Sequence, residues 1–137
     1  MPDLELEPAQ ICGAPGIAVR GELDMATAPE LEEALDRAVG ASVGAFVLDL
    51  CDVSFLDSSA INLLMRTRAL LGREDRTLVV VCPPGSVRRV FALTGIEELF
   101  ALFGSRDEAA RALVPVDPRR RPAGHRSDVK FQSQVSE

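Results

Sequence analysis

Val47-Leu-Asp-Leu-Cys-Asp-Val-Ser-Phe-Leu-Asp-Ser-Ser-Ala-Ile-Asn62 leads from a core-like apolar run straight into a cluster of aspartate and serine. Ala45 to Leu50 is nearly continuous in apolar character, which reads as a central strand covered on at least one face. The strand runs out through Asp52 and Phe55 into Asp57-Ser58-Ser59, where a helix begins. Ser58 to Leu71 has helical spacing, with Ile61, Leu64, Met65 and Leu71 inward and Gly72 closing it. Asp and Ser at a helix start are expected from capping alone, because they satisfy amides that lack an intrahelical partner. The same geometry supports a second reading. A hydroxyl in a first turn lies near free N–H groups and the positive end of the dipole, where a phosphate is tolerated. It would add about −1.5 to −2 charges without unfolding the domain. Asp57 beside it would repel the phosphate and sharpen the contrast between modified and unmodified faces. On these residues alone, capping and a phosphate switch both stay open.

Working outward, Leu4-Glu-Leu-Glu alternates, and Ile11 and Cys12 precede a turn signal at Gly13-Ala-Pro-Gly16. Ile17, Val19 and Leu23 continue a period of two, which predicts a β-hairpin of half-buried strands. Thr27-Ala-Pro-Glu30 reads as a capping box, with Thr27 accepting from the Glu30 amide. Ala28, Leu31, Leu35 and Ala38 then share one helical face until Gly40. Leu78 to Cys82 predicts another central strand, and Pro83-Pro-Gly-Ser86 a loop and cap. Val87, Val90, Phe91 and Thr94 follow at helical spacing, with Gly95 as the stop. Leu99 to Phe103 reads as an edge strand. Ser105-Arg-Asp-Glu108 is a second capping box, opening a last helix through Ala109, Ala112 and Leu113. Strands alternating with helices require a largely parallel sheet, and the opening hairpin makes it mixed. The expectation is one α/β domain over residues 1–114, a mixed, mostly parallel sheet of four to five strands packed with about four helices. Residues 115–137 hold three prolines, the run Arg119-Arg-Arg121 and little apolar content, which predicts a disordered tail.

Composition narrows the function. The chain has 137 residues, 47% apolar and 26% charged, enough for one core without disulfides or metal. Residues 1–114 carry ten Arg against eighteen Asp and Glu, and such an acidic body repels nucleic acid. No apolar run reaches the ~18 residues of a membrane span, and the acidic N-terminus lacks the features of a secretory leader. Cys12, Cys51 and Cys82 form no C-x-x-C pair, and His125 lies in the tail, so no zinc quartet is available. Cys51 and Cys82 each end an apolar run and read as buried small hydrophobes. Free thiols without a leader point to the cytoplasm. Nucleophilic catalysis by Ser58 or Ser59 lacks a base, since the body has neither His nor Lys. Gly-x-Ser-x-Gly and the Gly-x-x-x-x-Gly-Lys loop are both absent, so hydrolase and nucleotide-hydrolysis chemistry lack their parts, and neither an enzyme nor a cofactor is expected.

Three segments carry a family resemblance: Gly21-Glu-Leu-Asp24 with Thr27 and Ala28, Val47-Leu-Asp-Leu with Val53-Ser-Phe-Leu-Asp-Ser-Ser59, and Val87-Arg-Arg-Val-Phe-Ala-Leu-Thr-Gly-Ile96. In this order and spacing the chain resembles STAS domains of the anti-sigma factor antagonist type, over about residues 4–113. The resemblance implies that Ser59, the second serine of Asp-Ser-Ser, is phosphorylated by an anti-sigma factor serine kinase. It implies a partner-binding surface of Asp24, Asp57, Ser58 and Ser59. Unmodified protein would bind the kinase and free a sigma factor, phosphorylation would lower affinity, and a phosphatase would reset the cycle. The fold alone also admits a subunit of a lipid-transport ATPase complex or a component of a stress-signalling scaffold. Ala60 stands where the family usually has Gly. Ala is the better helix former, but a methyl beside the serines is expected to narrow the approach of a kinase.

Overall fold

A computed structural model describes residues 4–113; the tail expected at 115–137 lies outside them. Strand β1 (Leu4–Ile11) turns into β2 (Ala14–Leu23). Helix α1 (Ala28–Gly40), β3 (Phe46–Leu56), α2 (Ser58–Gly72), β4 (Leu78–Val81) and α3 (Ser86–Leu93) follow. A 3-10 turn at Glu97–Leu99, β5 (Ala101–Phe103) and α4 (Arg106–Leu113) complete the fold. The five strands lie in the order β1-β2-β3-β4-β5. β1 is antiparallel to β2, and all other pairs are parallel, so the sheet is mixed as the alternation of elements required.

Period-two alternation in the strands divides the core in two. Ile17, Val19, Phe46, Leu48, Leu50 and Val80 point to the face covered by α1, α2 and α3. Ile11, Ala14, Val47, Val79, Val81 and Ala101 point to the other face, where Ala109 of α4 packs on them. Both sides of β3 are buried from Phe46 to Leu50, which explains its unbroken apolar run. On the three-helix side Phe91 and Phe100 pack edge to face with centroids 5.7 Å apart.

The hairpin turn sits earlier than the Gly13–Gly16 signal predicts. Ile11 pairs with Ala14, so the loop is Cys12-Gly13, both at positive φ (56° and 81°). Two such residues build the tight turn whose twist suits a hairpin. Gly16 lies inside β2 for a packing reason: a Cβ there would stand 2.3 Å from the Val47 carbonyl oxygen.

β3 is longer than its apolar run. It continues to Leu56 because β2 offers a partner up to Leu23. Ala18 pairs with Asp49, Arg20 with Asp52, Gly21 with Val53 and Glu22 with Phe55, so β3 carries an extra residue at two places. These bulges change the inward spacing from two to three, giving Leu50, Val53 and Leu56. Cys51 follows Val47 and Asp49 on the outer face and is exposed rather than buried, because the apolar cluster under α4 does not extend to it.

The Thr27 capping box does not form. The Thr27 hydroxyl instead donates to the Glu22 carbonyl at 2.7 Å and accepts from the Asp24 amide at 2.9 Å, while the Glu30 amide bonds the Thr27 backbone oxygen. The Ser105 box forms by half. Ser105 Oγ accepts from the Glu108 amide at 3.2 Å, but the Glu108 carboxylate reaches Gly104 N instead of Ser105 N. At the far end Arg76 donates to the carbonyls of Gly44 (2.7 Å) and Val39 (3.0 Å) and to Ser42 Oγ (2.9 Å). A cation thus closes the C-terminus of α1.

Candidate functional site

The C-terminal ends of β2 and β3 release two loops side by side, one leading to α1 and one to α2. Asp57 joins them. Its amide donates to the Leu23 carbonyl at 3.1 Å. Its backbone is extended (φ −114°, ψ −172°), the conformation of an N-cap residue. Oδ1 accepts from the amides of Ser59 (2.8 Å) and Ala60 (3.2 Å), and Oδ2 accepts from Met25 N across the gap at 3.2 Å. One carboxylate thus caps α2 and anchors the neighbouring loop. The first-turn amides that the sequence left free for a phosphate are therefore already occupied at Ser59 and Ala60.

Asp24 is also turned to structural work. Its Oδ1 accepts from the amides of Ala26 (2.9 Å) and Thr27 (3.0 Å), which shapes the entry to α1. Ser58 is exposed and Ser59 half-buried, and neither hydroxyl has a protein hydrogen bond among the described residues. Ala60 is 0% exposed. Its methyl points into the core, so it does not narrow the surface around the serines. The structure brings Asp24, Asp57, Ser58 and Ser59 to one end of the sheet, with the two aspartates as hydrogen-bonded braces and the two serine hydroxyls unbonded among the described residues.

Ser59 opens on a groove of about 270 Å³ between α1 and α2, whose walls include Met25, Glu32, Asn62, Leu63 and Arg66. Arg66 Nη2 lies 3.4 Å from Glu32 Oε2 and ties the two helices across it. Met25 is 75% exposed at the rim. Sequence reasoning did not single out Met25, Asn62 or Arg66. The one signal for Met25 was a large apolar residue in a polar loop; Asn62 and Arg66 show only as the solvent face of α2.

The outer face holds a second polar cluster. Asp49 is buried, accepts from the Cys51 amide at 2.8 Å and pairs with Arg106 at the start of α4. Burial opposes its ionisation, but hydrogen bonds from Cys51 and Arg106 outweigh that and hold the carboxyl below its usual range. Desolvation of the sulfur, reinforced by the Asp49 carboxylate, pushes the Cys51 thiol up to about 12. An exposed cysteine so protonated is a poor nucleophile at neutral pH. Among the described residues no group of three or more His, Cys, Asp or Glu could hold a metal, and no helix is long and apolar enough to cross a membrane.

Residues 9–109 match the STAS domain family. The anti-sigma-F factor antagonist RsfB of Mycobacterium tuberculosis is 36% identical over 98 residues, 71% of this chain and 79% of that protein. An anti-sigma-B factor antagonist of Staphylococcus aureus is 32% identical over 83 residues, 61% of this chain and 77% of that protein. The crystal structure of an anti-sigma factor antagonist from Mycobacterium paratuberculosis superposes with a TM-score of 0.74 at 36% identity, over 82% of this chain and 97% of that one.

Proposed function

This chain belongs to the STAS domain family, among the anti-sigma factor antagonists, and we propose that it binds an anti-sigma factor kinase, frees a sigma factor and is switched off at Ser59. Its relatives are regulatory binding proteins rather than enzymes. The observation that carries the reading is the state of the Ser59 hydroxyl, half-buried at a groove mouth and without a protein hydrogen bond among the described residues. A partner can reach it, and no internal contact is lost when it is modified.

In the proposed cycle the kinase brings ATP to this hydroxyl. The Ser59 oxygen bonds the γ-phosphorus, the bond to ADP breaks, and the hydroxyl proton leaves to a base of the kinase. The added charge of about −1.5 to −2 falls beside Asp57 and near Glu32. Repulsion and the cost of desolvating a dianion then act against docking. A phosphatase reverses the step. Asp24 and Asp57 serve by holding the two loops in register, and Ser58 by contact with the partner. The regulatory unit spans residues 1–114 and works in the cytoplasm.

The test is incubation with ATP and an anti-sigma serine kinase, followed by intact-mass measurement. One phosphate on the wild type and on Ser58→Ala, and none on Ser59→Ala, is the expected pattern. Stable association with a transporter ATPase, with no phosphate on Ser59, would favour a transport-complex subunit and overturn the proposal.

A further inference from the structure

We propose that Arg66 is the internal counter-ion for a phosphoryl group on Ser59, and that it leaves Glu32 to take up that role. The inference rests on the reading of Ser59 as a modified residue. It starts from a shortage of donors. Helix starts usually receive a phosphate on free amides, but here the Asp57 carboxylate already accepts from Ser59 N and Ala60 N. Among the groove's lining residues Arg66 is the only cation.

Its placement suits the task. Ser59, Asn62 and Arg66 stand at i, i+3 and i+7 on α2, along one stripe that borders the groove. Arg66 is ~10 Å further along the helix axis, and long helical side chains lean back toward the N-terminus. Asn62 lies between the two and offers an amide donor on the same path.

The present partner is easily exchanged. The Arg66–Glu32 pair is 3.4 Å long, with side chains 61% and 47% exposed, and such surface pairs contribute little. A phosphate dianion takes an arginine fork through two parallel hydrogen bonds, a stronger match than one exposed carboxylate. Glu32 from α1 and Asp57 from the cap of α2 both approach the phosphate and repel it, which strengthens its demand for Arg66. Once Arg66 turns, Glu32 stands uncovered on the α1 wall. The partner then meets two new negative groups, and the tie between α1 and α2 is gone.

The test encodes phosphoserine at position 59, so it does not depend on the kinase. The phosphate is titrated by phosphorus NMR at low salt in the wild type and in Arg66→Gln. Arg66 is largely exposed, so the substitution leaves the fold intact, as circular dichroism will verify. The second phosphate pKa is expected to rise by roughly half a unit in Arg66→Gln, and the difference to shrink in 1 M salt. Coincident titration curves at low salt would overturn the inference. Treatment of the unmodified chain with kinase and ATP is run separately. Absence of phosphate on Ser59 there would overturn the proposed function, while the titration still decides the role of Arg66.

Discussion

Replacing Asp57 with Ala removes the acceptor for three amides, those of Ser59, Ala60 and Met25. Loss of an N-cap side chain costs about 1 kcal/mol. The Met25 bond is exposed, so water replaces much of it, and its loss adds ~0.5–1 kcal/mol to the cost. The sum is about 2 kcal/mol. A domain of this size has an unfolding entropy of about 0.23 kcal/mol/K, so Tm should fall by roughly 9 °C. Asp57→Asn separates the two contributions. Asparagine is an equally good cap and keeps one acceptor oxygen for α2, but turns an NH2 toward Met25 N. It should lose only ~0.5–1 kcal/mol. The chain has no Trp or Tyr, so far-ultraviolet circular dichroism is the assay, by heat and by urea. A Tm for Asp57→Ala within about 2 °C of the wild type would refute the bridging role. So would an Asp57→Asn variant as unstable as Asp57→Ala.

On the outer face, Arg106→Gln should cost about 2 kcal/mol near neutral pH. That figure is below the value for a fully buried pair, because the arginine is half exposed while Asp49 is not. Asp49 titrates below its ordinary 3.8 in the folded state. Its contribution is therefore complete above that ordinary value and is lost as pH falls through the lower folded one. Urea midpoints taken from pH 7 to pH 3 should show the gap between wild type and Arg106→Gln narrowing toward acid; a constant gap would contradict the assignment. Cys51, with its thiol near 12, should react with a disulfide reagent at pH 8 far more slowly than its exposure suggests. The thiolate is about a thousandfold scarcer than for an ordinary cysteine, and its higher nucleophilicity returns part of that, leaving roughly a thirtyfold deficit. Mass mapping of the labelled chain gives the rate, and labelling of Cys51 as fast as in the unfolded chain would refute it.

The apolar runs at 45–50 and 78–82 and the helical stripes were legible because local periodicity and burial agree there. The start of α2 at Asp57-Ser58-Ser59 was legible too, since Asp at an N-cap acts through its own next residues. Contacts between distant segments were not. The bulges that carry the inward positions on to Val53 and Leu56 arise from pairing with β2, which no local period in β3 announces. Thr27 looked like a cap, but the Asp24 amide donates to its hydroxyl oxygen, the Glu22 carbonyl takes the hydroxyl proton, and the Glu30 amide turns to the Thr27 backbone oxygen. That the Asp24 carboxylate shapes its own loop, by accepting from the amides of Ala26 and Thr27, is a further role that the acidic residue alone did not announce. The methyl of Ala60 looked like an obstacle because sequence alone does not say which side of the first turn faces the core; burial settles that it points inward. Met25 and Arg66 became parts of the site only when α1 and α2 were set side by side.

The most direct measurement is calorimetric titration of the kinase with two forms of the chain, one with the hydroxyl of residue 59 free and one with phosphoserine encoded there, near 0.15 M salt. The free form should bind roughly tenfold or more tightly, a difference of at least about 1.4 kcal/mol. Equal affinities for the two forms would contradict the account at its centre.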